Sequence, residues 1–257
     1  MKNILRLLAG GFAAAFFALA AQAANLAPGA YSAGSVKGDV SYKLAGSAQY
    51  QPLAAGVALP QGATIKTGAN STVLVVFGSG STAVIDSNSE VEITKFVQDV
   101  FSGPVPVDSE PAISETEIKI IDGAITAKVA KLKKGSSFNV NSPVGAAGVR
   151  GTVFKYSYSS AKGEATLQVT EGGVLFIEKG GKSTLAEAGK KVKVTFTKDA
   201  AGNVVSATLD LSDLTVDEAA AVTAAVGSVV TANNATATVT PGQIVITPVD
   251  RSQVSSE

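Results

Sequence analysis

The sequence predicts an all-β fold: an elongated, glycine-punctuated antiparallel β domain, sandwich or solenoid-like, followed by one C-terminal α-helix. Three observations predict it. β-Branched and alternating runs recur along most of the chain, as in Thr72–Phe77 and Lys191–Phe196. Glycines fall between these runs at spacings of roughly 8 to 12 residues, the rhythm of short strands joined by tight turns. Only one long segment, alanine-rich and near the C-terminus, carries helix-start and helix-stop signals.

The first element is an address. Lys2 and Arg6 form a basic start, Leu7 to Ala20 is an apolar run, and Ala21-Gln22-Ala23 supplies a small-x-small cleavage pattern. Residues 1–23 therefore read as a signal peptide cut before Ala24. The apolar run is shorter than the ~20 residues a membrane span needs. The product is expected to be exported, to the periplasm or to the cell surface and medium, with no membrane span after cleavage.

Composition bounds the chemistry. The chain holds 21 basic and 21 acidic residues; without Lys2 and Arg6 the basic count is 19, a net charge near −2. Polyanion binders show a basic excess, so nucleic acid is not an expected partner. Cysteine is absent, which removes disulfides, thiolate nucleophiles and thiolate zinc sites. Histidine is absent too, and with it the commonest general base and transition-metal ligand. No cofactor, no metal and no catalytic residue is expected, and the chain is not expected to be an enzyme.

The strands follow in order. Thr72–Phe77 and Ser81–Ile85 flank Gly78-Ser79-Gly80 and read as a hairpin. Glu90–Thr94 alternates, as do Ile125–Val129 and Lys191–Phe196, each with one buried and one wet face. Residues 99–117 carry Pro104, Pro106, Pro111 and several acids, and read as an exposed loop. Thr215 with Glu218 forms a capping box, which predicts a helix over 215–226 stopped by Gly227. Val229-Val230, Ala237–Val239 and Ile244–Ile246 read as short strands, and 251–257 as a polar tail.

Four motifs invite chemistry. Gly145, Gly148 and Gly151 spell G-x-x-G-x-x-G around Arg150, but strand-like Val153–Tyr158 follows where a phosphate loop needs a helix. A backbone nest for an anion and a purely structural corner remain open readings of that stretch. Asp86 to Glu90 resembles half a calcium loop, yet Val91 stands where the loop needs glycine, so an Asx-rich turn is the simpler reading. Glu90 with Glu92, and Glu115 with Glu117, would each share a strand face. Such pairs can run glycoside hydrolysis, but a chain with no Trp and five Tyr offers little of the aromatic cleft that normally goes with it.

The order of pieces resembles a known family. Leu59-x-x-Gly62-x-x-Ile65-x-Thr67-Gly68, Val73–Phe77, Gly80-Ser81 and Glu90–Ile93 look like the opening half of a FecR domain. Gly123-Ala124-Ile125, Ser137-Phe138-x-Val140, Gly148-Val149-Arg150-Gly151-Thr152-x-Phe154 and Val169-x-Glu171-Gly172-Gly173-Val174 look like its second half, with Ala188-Gly189 and Val192 closing it. The resemblance spans residues 35–196 and leaves 197–257 as a C-terminal region. Gly148, Arg150, Gly151, Thr152 and Phe154 are its strongest signature, read as structural residues that could also serve an interaction.

The resemblance implies an extracytoplasmic β module without known catalytic residues. In the founding group it forms the periplasmic part of a regulator that relays a signal from an outer-membrane transporter to a cytoplasmic sigma factor. This sequence is instead expected to carry a cleavable signal, with neither a cytoplasmic N-terminal domain nor a mature transmembrane segment. The expected function is therefore a non-enzymatic envelope protein-interaction or signal-sensing module, with an envelope protein as partner. A structural or assembly protein of the cell surface is the alternative; an anti-sigma-type regulator and a glycosidase rank below it.

Overall fold

The computed structural model describes residues 26–106, 108–230, 236–240 and 243–247. The expected signal peptide and polar tail lie outside these residues. Twenty strands and one helix follow one another. They are β1 (Ala27–Pro28), β2 (Tyr31–Lys37), β3 (Val40–Lys43), β4 (Gln51–Pro52), β5 (Ala58–Leu59), β6 (Thr64–Thr67), β7 (Thr72–Phe77), β8 (Thr82–Ile85), β9 (Glu90–Gln98) and β10 (Ser114–Lys128). Then come β11 (Ser137–Ser142), β12 (Gly145–Val149), β13 (Val153–Ser159), β14 (Glu164–Glu171), β15 (Gly173–Glu178), β16 (Ser183–Glu187), β17 (Lys190–Lys198) and β18 (Val204–Asp213). Helix α1 (Val216–Val230) and a separate pair, β19 (Thr236–Thr240) with β20 (Gln243–Thr247), complete the order.

Strand pairing sorts β1–β18 into two sheets that share β10. In sheet A the order is β4-β3-β6-β9-β10-β11-β12-β15-β16, with β1 continuing β6 along β9. In sheet B it is β5-β2-β7-β8-β10-β13-β14-β17-β18. β10 can belong to both because it bends at Gly123 (φ +95°): Ser114–Asp122 pairs in sheet A and Gly123–Lys128 in sheet B. All named pairings are antiparallel except β10 with β11, which is parallel. The antiparallel expectation misses this one, because the partner of β10 is set by where the chain re-enters sheet A, not by a local turn.

The sheets face each other across one core. Alternation sends Val73, Val75 and Phe77 of β7 inward with Ile93 and Phe96 of β9, and all five are almost fully buried. Phe77 links the layers: its ring centroid lies 5.3 Å from Phe96, 6.1 Å from Phe138 and 5.7 Å from Tyr31. Tyr156 of sheet B meets Phe176 of sheet A at 6.0 Å in the second half. Burial raises the pKa of Tyr31 and of Tyr156, and each hydroxyl finds an oxygen: Tyr31 donates to the Pro60 carbonyl, and Tyr156 pairs with Ser142 Oγ at 2.6 Å.

Residues 99–117 depart from the expected exposed loop. β10 already begins at Ser114, and Glu110 is only 2% exposed. Its carboxylate accepts hydrogen bonds from Ser114 Oγ at 2.9 Å, from Ser136 Oγ and from the Lys133 amide. These contacts hold the start of β10 beside the start of β11 and so set their parallel register. Upstream, Lys128 pairs with Asp108 at 2.6 Å, and Val105 lies over Gly80 in the β7–β8 turn. Glu110→Ala strands two hydroxyls and an amide in a buried place, which costs about 2–3 kcal/mol. A melting temperature lower by about 5–10 °C is expected for this chain length.

Helix α1 lies on the outer face of sheet B. Its capping box forms reciprocally, Glu218 N to Thr215 Oγ1 at 3.2 Å and Thr215 N to Glu218 Oε2 at 2.9 Å. Val222 and Val226, one turn apart, are buried with Val153 of β13. The helix runs through Gly227 to Val230, so Gly227 is not the stop and Val229-Val230 is not a strand. Packing of the valine stripe outweighs the modest cost of one helical glycine. β19 and β20 occupy the two later runs read as strands.

Lys191 of β17 donates to Glu218 Oε1 at 2.7 Å and, with the Thr215 amide, lowers the Glu218 pKa from 4.5 to about 2. A depressed carboxylate stabilises fully above its unfolded value and loses that contribution as pH falls through the folded one. The start of α1 should therefore loosen between about pH 4.5 and pH 2. Amide exchange over 216–227 should rise in that window, and Glu218→Gln should flatten the rise.

Candidate functional site

The signature corner is where the chain passes from one sheet to the other. β12 ends at Val149 in sheet A and β13 begins at Val153 in sheet B, so Arg150-Gly151-Thr152 is the passage. Gly151 sits at φ +66°, and a Cβ there would lie 3.2 Å from Lys131 Cγ and 3.4 Å from Lys131 Cα. A left-handed turn against a neighbouring backbone accepts glycine and little else. Thr152, 1% exposed, donates from Oγ1 to the Gly173 carbonyl at 3.0 Å, while its own carbonyl accepts from Val129 N at 2.9 Å. Exposed Arg150 donates from Nη2 to the carbonyls of Lys133 at 3.0 Å and Leu132 at 3.5 Å. Phe154 is fully buried, and Gly148 pairs with Asn139 and Leu175 in the middle of sheet A.

The return passage leans on the same corner. Gly172 (φ +72°) carries the chain from β14 back to β15, and a Cβ there would lie 2.6 Å from the Gly151 carbonyl and 2.9 Å from Thr152 Oγ1. The two glycine signatures of the second half are thus one interlocked contact. A shallow groove of about 410 Å³ runs past it, lined by Asp108, Lys128, Lys131, Gly151, Thr152 and Glu171 among others. Arg150 is not in that lining, and its guanidinium is turned to backbone carbonyls rather than toward an anion.

The opening half has a corresponding corner at the opposite end of the sandwich. Thr67 Oγ1 donates to the Asp86 carbonyl at 2.5 Å and accepts from Ser89 N at 3.0 Å. Ser89 Oγ in turn accepts from Ala124 N at 3.0 Å, immediately after the bend of β10. The family piece ending in Thr67-Gly68 therefore holds three inter-sheet passages together. Thr67 is marked in the sequence only through the family piece, and neither it nor Ser89 is given a role there, because their partners lie 19 to 35 residues away.

The remaining motifs fall into ordinary places. Asp86 to Ser89 is the β8–β9 passage, with Asn88 at φ +53° and the Asp86 carboxylate paired with Lys155 at 2.6 Å. Glu115 and Glu117 do share a face with Glu90 and Glu92: the outer, water-facing side of sheet A. There Lys95 pairs with Glu115, a hydrogen bond that raises the lysine pKa, and Tyr50 donates to Glu90 at 2.8 Å. Among the described residues no group of three or more acidic side chains is placed to hold a metal ion.

The surface that stands out lies at the C-terminal end. The N-terminal end closes with two-residue strands, β4 and β5, one of them containing Pro52, a device that blunts sheet edges. The other end presents β16 in sheet A and the ten-residue β18 in sheet B, each paired with a single strand, on one side only, among the described residues. Beside β16 the outer face of sheet A is apolar: Leu175 is 43%, Ile177 41% and Leu185 56% exposed. Leu175 and Leu185 are direct cross-strand partners, next to the small Ala146 and Gly148 of β12.

Residues 63–175 match the model of the family described as FecR protein, a stretch that contains both the Thr67 and the Arg150–Thr152 corners. No curated protein matches the chain. Two crystal structures of a candidate anti-sigma factor from Parabacteroides distasonis are similar in part. The one at 2.50 Å shares 12% identity with a TM-score of 0.46, over 62% of this chain and 62% of that one. The one at 1.65 Å shares 14% identity with a TM-score of 0.45, over 62% and 63%. The alignment thus spans less than two thirds of those proteins' length. No helix among the described residues is long and apolar enough to cross a membrane. Both corners lie within residues 63–175, the stretch of this chain that matches the FecR family, while Gly62 and Gly189 of the quoted pieces fall outside it.

Proposed function

We propose that this chain is a non-enzymatic, exported protein-interaction module of the cell envelope, a FecR domain that binds a protein partner through its open C-terminal end. The observation that carries the reading is the apolar surface of Leu175, Ile177 and Leu185 beside the unpaired side of β16. An extended segment of a partner added there would satisfy free backbone groups and bury these three side chains together. Nothing in such binding needs a nucleophile, a general base or a metal. The groove at the signature corner supports the reading less well, because Thr152 and the Asp108–Lys128 pair in its lining are already engaged, Thr152 with the Gly173 carbonyl and Asp108 with Lys128.

Affinity capture from envelope extracts tests the proposal, using the wild-type chain and a Leu175→Lys/Leu185→Lys variant. Both positions are exposed, so the variant is expected to fold as the wild type does. A specific protein enriched by the wild type and lost with the variant is the expected result. Equal enrichment by both, or none by either, contradicts it.

A further inference from the structure

We infer that the β18 edge of one copy receives the β19–β20 strand pair of a second copy, so that the protein assembles head to tail. The inference uses sheet B and the C-terminal pair, and does not depend on the β16 surface.

β18 is a ten-residue strand that pairs with β17 on one side. Its register puts Leu211, Leu209 and Ala207 opposite the core residues Val192, Val194 and Phe196, hence on the core-facing side of the sheet. Yet Leu211 is 45% exposed, Ala207 is exposed and Leu209 only half-buried, while Val205 is 62% exposed. Leu209 still packs against the core, but at Ala207 and Leu211 the core face of sheet B is left largely uncovered among the described residues. An edge this long and apolar, with Asp210 and Asp213 as its acidic residues, lacks most of the usual protection against strand addition.

The occupant is written in the same chain. β19 and β20 pair with each other, and no described strand of either sheet pairs with them. An isolated two-stranded pair is marginal in water and calls for a sheet to join. Its sequence, T-A-T-V-T and Q-I-V-I-T, alternates small or apolar with mostly polar residues, the pattern that extends a one-sided core face.

The course of α1 directs the pair away from its own β18. The helix begins at β17, where Glu218 meets Lys191, then contacts β14, β13, β10 and β8. Its fifteen residues span about 22 Å, matching the four strand spacings from β17 to β8, about 19 Å. From there the β18 edge lies about 24 Å back across the sheet, and the six Cα steps from Val230 to Thr236 reach about 20–22 Å when fully extended. A second copy faces no such limit. Because the edge and the strand pair are different surfaces, the contact is heterologous and propagates.

Sedimentation of three forms of the chain starting at Ala24 tests this. The intact chain should show a mass that rises with concentration past the dimer. A chain ending at Val230 keeps the edge and loses the strand pair; Val205→Asp/Leu211→Lys keeps the pair and blocks the edge at exposed positions. Each alone should be monomeric, and an equimolar mixture should form a one-to-one dimer and stop there. If the shortened chain melts below the intact one, Ile244→Lys/Ile246→Lys in the full-length chain takes its place. A monomeric intact chain, self-association of the shortened chain, or a mixture that stays monomeric would each overturn the inference; the first two leave the proposal for β16 standing, since capture there is read with β18 and the strand pair unaltered.

Discussion

Gly123→Ala should lower the melting temperature by about 8–16 °C, corresponding to a loss on the order of 4 kcal/mol. Two terms add. A non-glycine residue at φ +95° carries a backbone penalty of about 1–2 kcal/mol. The new Cβ would also sit 2.5 Å from Ser89 Cα and against Ser89 Oγ, and a backbone atom cannot swing aside as a side-chain end can. Relief requires moving β9 away from β10, which breaks the Ala124 N to Ser89 Oγ hydrogen bond at the bend. Gly56→Ala separates the terms: Gly56 has φ +83° with nothing within 4 Å of the added Cβ. It should show the backbone penalty alone, and equal losses in the two variants would refute the steric part.

Phe77→Ala should cost about 3–5 kcal/mol, the range for deleting a fully buried aromatic ring. Phe77 stands 1% exposed between Tyr31, Phe96 and Phe138, residues drawn from both sheets. The cavity cannot close by one side chain shifting, because each neighbour is fixed on a separate strand. Urea unfolding should give a lower midpoint at unchanged slope. Phe77→Leu, which keeps most of the volume, should recover most of the loss. A loss below about 1 kcal/mol for the alanine variant would mean that the sheets do not depend on this contact.

Much of the fold is legible where a residue's surroundings are set by its near neighbours. Thr72–Phe77 is read with its bounds intact because a β-branched run ends at a glycine turn. The capping box at Thr215 is read because its two partners are three residues apart. What escapes local reading depends on distant partners. A Gly-containing turn looks the same whether it closes a hairpin, as at Gly80, or carries the chain between sheets, as at Gly151 and Gly172. Glu110 looks like one more acid in a proline-rich loop, since Lys133 and Ser136, which bury it, come more than twenty residues later. Gly227 looks like a stop because the sequence does not show sheet B beneath Val222 and Val226. The open end at β16 and β18 is invisible for the same reason: an edge is defined by which strand is missing beside it.

If the Arg150-Gly151-Thr152 corner holds the fold together and is not itself a ligand site, Gly151→Val and Arg150→Ala should each lower thermal stability. A β-branched residue at φ +66°, 3.4 Å from Lys131 Cα, should cost about 2–3 kcal/mol. Losing two exposed hydrogen bonds to carbonyls should cost about 1 kcal/mol. Melting temperatures lower by about 4–12 °C for the first and by about 2–4 °C for the second are predicted. Unchanged melting in both variants would contradict the claim and return the corner to the anion-binding reading.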